Sequence, residues 1–555
     1  MKRLTFIITL AVAAATVLAA ATHEAAGRKA RFAEKLRTFN SIVKELEVNY
    51  VDTLNANELM DQTIASLLYQ VDPYTEYYPA EDQDELLSIS TGQYAGIGAV
   101  ISKRGDRVII NRPNPDSPAR RAGLRAGDVI LRINGDTVTP DMGTDKVSRR
   151  LRGQAGTHIA IDICRPYADD SLLTVEFDRE TIKINPVPYY GIDSTGVGYI
   201  RLTTFNESSG RRVRRAVEEM CAQPELKGII LDLRGNGGGL LEGAVQIASN
   251  FVDKGTEIVR TRGRDGANER VYRTTTRPVS TSVPLVVLTD GGTASASEIV
   301  AGSMQDLDRG VIVGERSFGK GLVQTSVALP YDDLMKITTG RYYIPSGRLI
   351  QAIDYSQRDD DGRPVRKPDS LTNAFTTRLG RTVRDGGGIT PDIRVESPES
   401  NRLLYNIMAD MWAFDYVTRH VARNPQAPAG ELVGDSVFAD FKAFIDPACF
   451  KYDRRCESGL EALREAAKAE GYMTDSVAAQ FDVLASLLRH DLGHDLDINR
   501  DAIVDILEEE MAARYFDEAG QVAYSLRRDP VYARARALLL DPEAYQAILT
   551  PKKEE

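Results

Sequence analysis

Three short runs dominate the middle of the chain: Gly228-Ile229-Ile230-Leu231-Asp232-Leu233, Pro284-Leu285-Val286-Val287-Leu288-Thr289 and Gly310-Val311-Ile312-Val313-Gly314. A strand with one wet face alternates apolar and polar residues. Runs that are apolar almost throughout suit strands buried on both faces of a largely parallel sheet. The stretches from Leu241 to Phe251 and from Ser297 to Leu307 read as helices between them, and each crossover is expected to be right-handed. The region from about Tyr189 to Asp392 is therefore read as an α/β domain. Sites in such sheets lie beyond the carboxyl ends of the strands. Small residues follow all three runs: Arg234-Gly235-Asn236-Gly237-Gly238-Gly239, then Asp290-Gly291-Gly292 leading to Ser295, then the segment leading to Lys320. One crevice can collect all three.

Ser295 lies where a helix is expected to begin, between Ala294 and Ala296, which leave its hydroxyl accessible. A helix N-terminus offers free N–H groups and partial positive charge, which favour an oxyanion. The N–H of Ala296 and one from the Gly237-Gly238-Gly239 turn can form an oxyanion hole. Helix capping is the plain alternative for Ser295 and Ser297. A serine nucleophile needs a base. The five histidines are His23, His158, His420, His490 and His494, so none falls between His158 and His420. A lysine is then the expected base, a known variant of triad logic. Lys320 sits between Gly319 and Gly321. It can accept a proton only when neutral, a form that burial favours. Gln324, four residues on, shares a strand face with it and can orient the amine.

The remaining chain divides by texture. With 555 residues, several domains are expected. The net charge of −11 argues against general nucleic-acid binding. Lys2 and Arg3, the apolar stretch Leu4 to Ala20 and Ala19-Ala20-Ala21 form an export signal over residues 1–21. An uncleaved membrane anchor is its alternative. Residues 22–88 read as a helical region. Its first stripe is Phe32, Leu36, Phe39, Ile42, Val43 and Leu46; a second helix with Leu59, Ile64, Leu67 and Leu68 ends at Val71-Asp72-Pro73-Tyr74-Thr75. The stripe packs on the body by default, with a second subunit, and so a homo-oligomer, as the alternative.

Residues 89–180 are rich in glycine and short apolar runs, and read as a small mostly-β module. Residues 181–398 form the α/β core, with a polar exposed loop at 357–369. Residues 399–555 read as helical, with Leu403, Ile407, Met411 and Phe414 on one face, Ala502, Ile503, Ile506 and Leu507 on another, and a frayed tail at Lys552 to Glu555. Cys449 and Cys456 are close enough to form a disulfide, which spacing alone does not establish. His490 and His494 read as a solvated pair rather than a zinc site. No metal, nucleotide or organic cofactor is implied.

The run Gly314-Glu315-Arg316-Ser317-Phe318-Gly319-Lys320-Gly321 nearly matches a phosphate-binding loop. It lacks the final hydroxyl residue, and strand-like Leu322 to Val327 follows where a helix is required.

Several linked segments resemble the C-terminal processing peptidases, or tail-specific proteases. Ser295-Ala296-Ser297-Glu298-Ile299 resembles the family's nucleophile segment. Phe318-Gly319-Lys320-Gly321-Leu322-Val323-Gln324 resembles its lysine segment, at a matching interval. Leu231 to Leu240 resembles its glycine turn, with Gly237 in place of the usual proline. Tyr342-Tyr343-Ile344-Pro345-Ser346-Gly347-Arg348 and Gly387-Gly388-Ile389-Thr390-Pro391-Asp392 resemble its closing segments.

The resemblance implies a crotonase-like α/β protease core with an inserted PDZ domain and helical N- and C-terminal regions. It makes Ser295 the nucleophile, Lys320 the base, Gln324 its orienting partner, and Gly238 and Ala296 the oxyanion donors. It makes Gly96-Ile97-Gly98 a carboxylate-binding loop, beside a strand edge that can pair with an extended peptide. Arg152 would couple peptide capture to activation. The implied function is a serine endopeptidase, exported to the periplasm or cell envelope, that captures unstructured protein C-termini. The rival is a non-catalytic scaffold that binds peptide tails; retention of both serine and lysine argues against it. A histidine-dependent protease lacks its histidine.

Overall fold

The computed structural model describes residues 30–168, 171–359, 361–396, 401–452, 454–488 and 491–550. The export-signal segment, His490, Ser397-Pro398-Glu399 and the tail from Lys552 lie outside them.

The chain forms two compact units. One comprises the N-terminal residues through Tyr77 with Ser326–Leu329 and Leu334–Ile337. It holds helices over 30–49 and Ala56–Tyr69. Asn55 caps the second helix by accepting the Glu58 N–H. Asp72 ends the helical run by accepting the N–H groups of Tyr74 and Thr75, a local bond that competes with helix continuation. Phe32, Leu36, Ile42 and Leu46 of the first stripe are exposed.

The other unit carries everything else. Its centre is a six-stranded sheet in the order Tyr189–Ile192, Val197–Arg201, Gly228–Asp232, Leu285–Thr289, Val311–Gly314 and Ile393–Arg394. The first pair is antiparallel and the rest are parallel. The three apolar runs are its central strands, as their patterning requires. Helices Ser209–Cys221, Leu241–Ala248 and Ala296–Asp306 cross between successive strands and all pack on one face. There Val213, Val217, Ile247, Val300 and Met304 meet Ile200, Ile229, Leu231, Val287 and Ile312.

That arrangement leaves Val197, Tyr199, Ile230, Val286, Leu288 and Val313 on the opposite face. They are covered by Val531, Tyr532, Ala535, Leu538, Leu539, Tyr545 and Leu549, from the helices Pro530–Leu539 and Pro542–Leu549. The end of the chain thus supplies the third layer of the core.

The β-module folds as strands Ala99–Arg104, Arg107–Pro113, Val129–Ile133, His158–Cys164 and Leu172–Asp178, with a helix at Thr144–Leu151. Strands Gln93–Gly96 and Glu180–Lys183, where the chain enters and leaves it, pair with one another. Arg112 of this module meets Glu518 and Gln521 of the helix Glu518–Ser525 at 3.7 and 3.3 Å.

Two expectations change in detail. The segment 357–369 is not wholly loop: Ile353–Arg358 and Pro364–Arg366 form a hairpin, because Asp359 accepts the Arg363 N–H and Gly362 turns at φ 76°. The stripe Leu403, Ile407, Met411 and Phe414 is divided between helices Arg402–Ala409 and Trp412–Arg423, because the chain turns at Met411 with φ 60°. Cys449 and Cys456 are exposed and unbridged.

Candidate active site

Ser295 follows the fully buried strand Leu285–Thr289 and immediately precedes helix Ala296–Asp306. Its φ of 56° and ψ of −117° are outside the regions a serine prefers. Such strain costs about 1–3 kcal/mol and persists only where surroundings enforce it. Here the enforcement is visible. The Ser295 N–H donates to Glu298 Oε2 at 2.9 Å, and its carbonyl accepts from the Tyr342 hydroxyl at 3.1 Å.

The glycine turn is bolted to the same helix start. Asn236 is fully buried. Its carbonyl accepts the Ser297 hydroxyl at 2.8 Å and the Ala294 N–H at 3.0 Å. Ser297 is therefore a tie between turn and helix. A Cβ on Gly238, whose φ is 101°, would lie 2.8 Å from Ser295 Cβ and 2.9 Å from the Ala296 nitrogen. Only glycine lets the turn come this close. The Gly238 N–H donates to Asn236 Oδ1 at 2.9 Å.

Lys320 is half-buried. Its N–H donates to the same Glu298 Oε2 that holds Ser295, at 2.8 Å, and its carbonyl accepts from the same Tyr342 hydroxyl. The backbone nitrogens of Ser295 and Lys320 are thus within two hydrogen-bond lengths of each other. After Lys320 comes strand Leu322–Ala328, not the helix a phosphate loop needs. Gln324 lies on that strand and donates to Thr338 Oγ1 at 3.2 Å.

Sequence reasoning passed over Glu298 and Tyr342 as site residues. The Ser-x-x-Glu spacing of a capping box was the available signal for Glu298. Glu298 is fully buried and accepts four donors: Ser295 and Lys320 N–H on one oxygen, Gly319 N–H at 2.8 Å and the Ser317 hydroxyl at 2.5 Å on the other. Burial pushes its carboxyl up to about 7, although all four hydrogen bonds favour the charged form.

Below the glycine turn, buried Asp232 accepts from the Tyr199 hydroxyl at 2.6 Å, Arg201 at 2.9 Å and Arg234 at 2.6 Å. Burial acts to raise its pKa, but the Arg234 and Arg201 guanidiniums and the Tyr199 hydroxyl outweigh it and hold it below the usual carboxylate value.

In the β-module, Gly96 closes the strand Gln93–Gly96, Ile97 is buried, and Gly98 turns at φ 72°. The following strand, Ala99–Arg104, is an edge of its sheet, and Val147 and Leu151 of helix Thr144–Leu151 share a core with Ile97. The Arg152 guanidinium lies 5.6 Å from the Tyr94 ring centre. Among the described residues, no cluster of histidine, cysteine and carboxylate side chains could hold a metal ion.

Comparison with known proteins adds to this geometry. Family models match at residues 196–357 (peptidase family S41), 109–165 (PDZ domain) and 403–539 (probable PDZ-protease, C-terminal helical domain). A carboxy-terminal-processing protease of Bartonella bacilliformis is 35% identical over 323 residues, covering 58% of this chain and 73% of that protein. The chain belongs to peptidase family S41. Its relatives in this family include the carboxy-terminal processing protease CtpA of Bacillus subtilis, 30% identical over 57% of this chain and 66% of that one. Among solved structures, a photosystem II D1 C-terminal processing protease is 28% identical, with a TM-score of 0.36, over 64% of this chain and 92% of its own. The β-module of this S41 peptidase is its PDZ domain, and the enzyme is a serine-type peptidase.

Proposed function

We propose that this S41 peptidase cleaves proteins near their C-termini with a Ser295–Lys320 dyad. The observation that carries the reading is the shared anchoring of both residues on Glu298 Oε2 and the Tyr342 hydroxyl, at the start of a helix. Neutral Lys320 takes the Ser295 proton as the hydroxyl attacks the peptide carbonyl. Gln324, on the strand after the lysine, orients the amine. The Ala296 N–H and the Gly237-Gly238-Gly239 turn face the developing oxyanion, with Gly238 shared between that charge and Asn236 Oδ1. The leaving amine takes the proton, and water then hydrolyses the acyl-enzyme.

The Gly96-Ile97-Gly98 loop takes the tail carboxylate, and the free edge of Ala99–Arg104 takes the extended tail. Lys2, Arg3 and the apolar stretch after them support export to the periplasm or cell envelope, where the substrates would be unstructured tails.

Labelling with a serine-reactive probe tests the dyad. Intact protein should label; Ser295→Ala and Lys320→Ala should not. Labelling that survives Ser295→Ala would remove the nucleophile assignment, and undiminished peptide cleavage by Lys320→Ala would remove the base. Peptides with free and amidated C-termini test tail capture; equal cleavage of both would end it.

A further inference from the structure

The carboxylate of Glu298 accepts the backbone N–H groups of both Ser295 and Lys320 and that of Gly319 in the loop between strand and lysine. We propose that Glu298 is a positioning residue whose ionised carboxylate sets the separation of nucleophile and base, so that the dyad assembles only when this carboxylate carries its charge. The proposal rests on the Ser295–Lys320 reading above.

The stoichiometry of donors carries it. Two carboxylate oxygens receive four hydrogens: three backbone N–H groups and one hydroxyl. An ionised carboxylate only accepts, whereas a protonated one must also donate. The Ser317 oxygen accepts the Ile389 N–H at 2.6 Å while its hydrogen is directed at Glu298, so it can take a Glu298 proton only if its own hydrogen turns to another acceptor. Protonation would therefore give up a donor such as the Ser317 hydroxyl, and would turn the charge-assisted bonds from the Ser295 and Lys320 N–H groups on Oε2 into weaker neutral ones. The same tie to the Ser295 N–H holds that residue at its positive φ. A local loosening of about 1 Å in such a constellation can cost about 100-fold in rate.

The charged and titratable groups on the elements packed around Glu298 are few. Lys320, Arg316 and Glu315 lie on the lysine loop, Tyr342 on the strand Leu334–Tyr343, Asp290 on the loop before the nucleophile and Asp385 before Gly388. Arg316 is engaged by Asp369 at 2.8 Å, Asp385 by Lys367 at 2.9 Å, and Asp290 by the Gly235 N–H and Thr293 hydroxyl at 2.9 and 3.0 Å. Lys320 is the cation whose own backbone Glu298 holds. Burial places the Glu298 transition at about 7, inside the range where the switch can be read.

The test is steady-state cleavage of a tail-bearing peptide by the full chain between about pH 5 and 9, for parent, Glu298→Gln, Ser317→Ala and Lys320→Ala. Gln replaces one acceptor oxygen with an NH2 that faces N–H donors. Glu298→Gln should lower kcat about 100-fold with KM changed less than about threefold, and should lose the rise in kcat through pH 7. Ser317→Ala removes a donor that favours the charged form, and should move that rise to higher pH. Parent-like kcat in Glu298→Gln, or an unmoved pH limb in Ser317→Ala, overturns the proposal. The Ser317→Ala profile decides it alone if Glu298→Gln does not fold. Activity in Lys320→Ala would instead overturn the dyad; an inactive Lys320→Ala beside a fully active Glu298→Gln sinks only this inference.

Discussion

Arg234, at the start of the glycine turn, donates to Asp529 at 2.6 Å, across 295 positions of sequence. Asp529 also caps helix Pro530–Leu539 by accepting the N–H groups of Val531 and Tyr532. The cap of the helix beneath the sheet and the turn beside Ser295 are thus one hydrogen-bonded unit.

Asp529→Ala removes both the cap and the tie. It should destabilise the protein by about 1–3 kcal/mol in urea unfolding and lower kcat, because Arg234 then positions the turn through Asp232 alone. An unchanged midpoint together with unchanged kcat would show that the tie carries nothing.

The helices Pro530–Leu539 and Pro542–Leu549 supply the buried residues that cover one face of the sheet, with Val522 and Leu526 packed at its side. A chain shortened to end at Arg527 should expose Val197, Tyr199, Ile230, Val286 and Leu288. It should bind an apolar dye strongly and lose cooperative unfolding. The milder Leu538→Ala should cost about 2–5 kcal/mol, as fully buried leucines do. A soluble, cooperative shortened chain would contradict this architecture.

Gly238→Ala places a methyl 2.8 Å from the Ala294 carbonyl and Ser295 Cβ, at a φ that alanine resists. The turn must withdraw, and probe labelling of Ser295 should fall by about 100-fold or more. Gly237→Ala, where a Cβ meets nothing within 4 Å, is the control and should label far better.

Stability should respond to pH through Glu298. Its folded pKa of about 7 lies above its ordinary value. Between the two values the folded state holds a proton that the unfolded chain has released. The contribution of this group is therefore greatest below the unfolded pKa and is lost as pH rises through 7, an effect of about 3 kcal/mol. Unfolding midpoints of the parent and Glu298→Gln, compared across this range, should show the slope in the parent and its loss in the variant. Parallel pH profiles would place the Glu298 transition elsewhere.

Much of the fold was legible in local pattern. The runs at Ile229, Val286 and Ile312 announced buried parallel strands, and the glycines after them announced a site, because strand burial and close backbone approach each demand particular residues in sequence. Ser295 and Lys320 stood out by the same logic, sharpened by the missing histidines. The helix break at Asp72 was legible too, but the break at Met411 and the hairpin around Gly362 were not, since each depends on a local backbone turn.

Glu298 shows where pattern stops. As a sequence signal it was one residue of a helix cap, three positions beyond the serine. Its bonds to Gly319 and Lys320 exist only because helix and lysine loop meet. Tyr342 and Asn236 gain their roles in the same way.

By itself the sequence determined which segments become strands and helices, and which residue types could do chemistry, because periodicity and glycine placement act over a few neighbours. Only the tertiary structure decided that residues 530–549 close the sheet, and that the buried Glu298 carboxylate joins Ser295 to Lys320. Those outcomes depend on contacts between distant segments, which form where crossovers leave a face bare and buried donors require an acceptor.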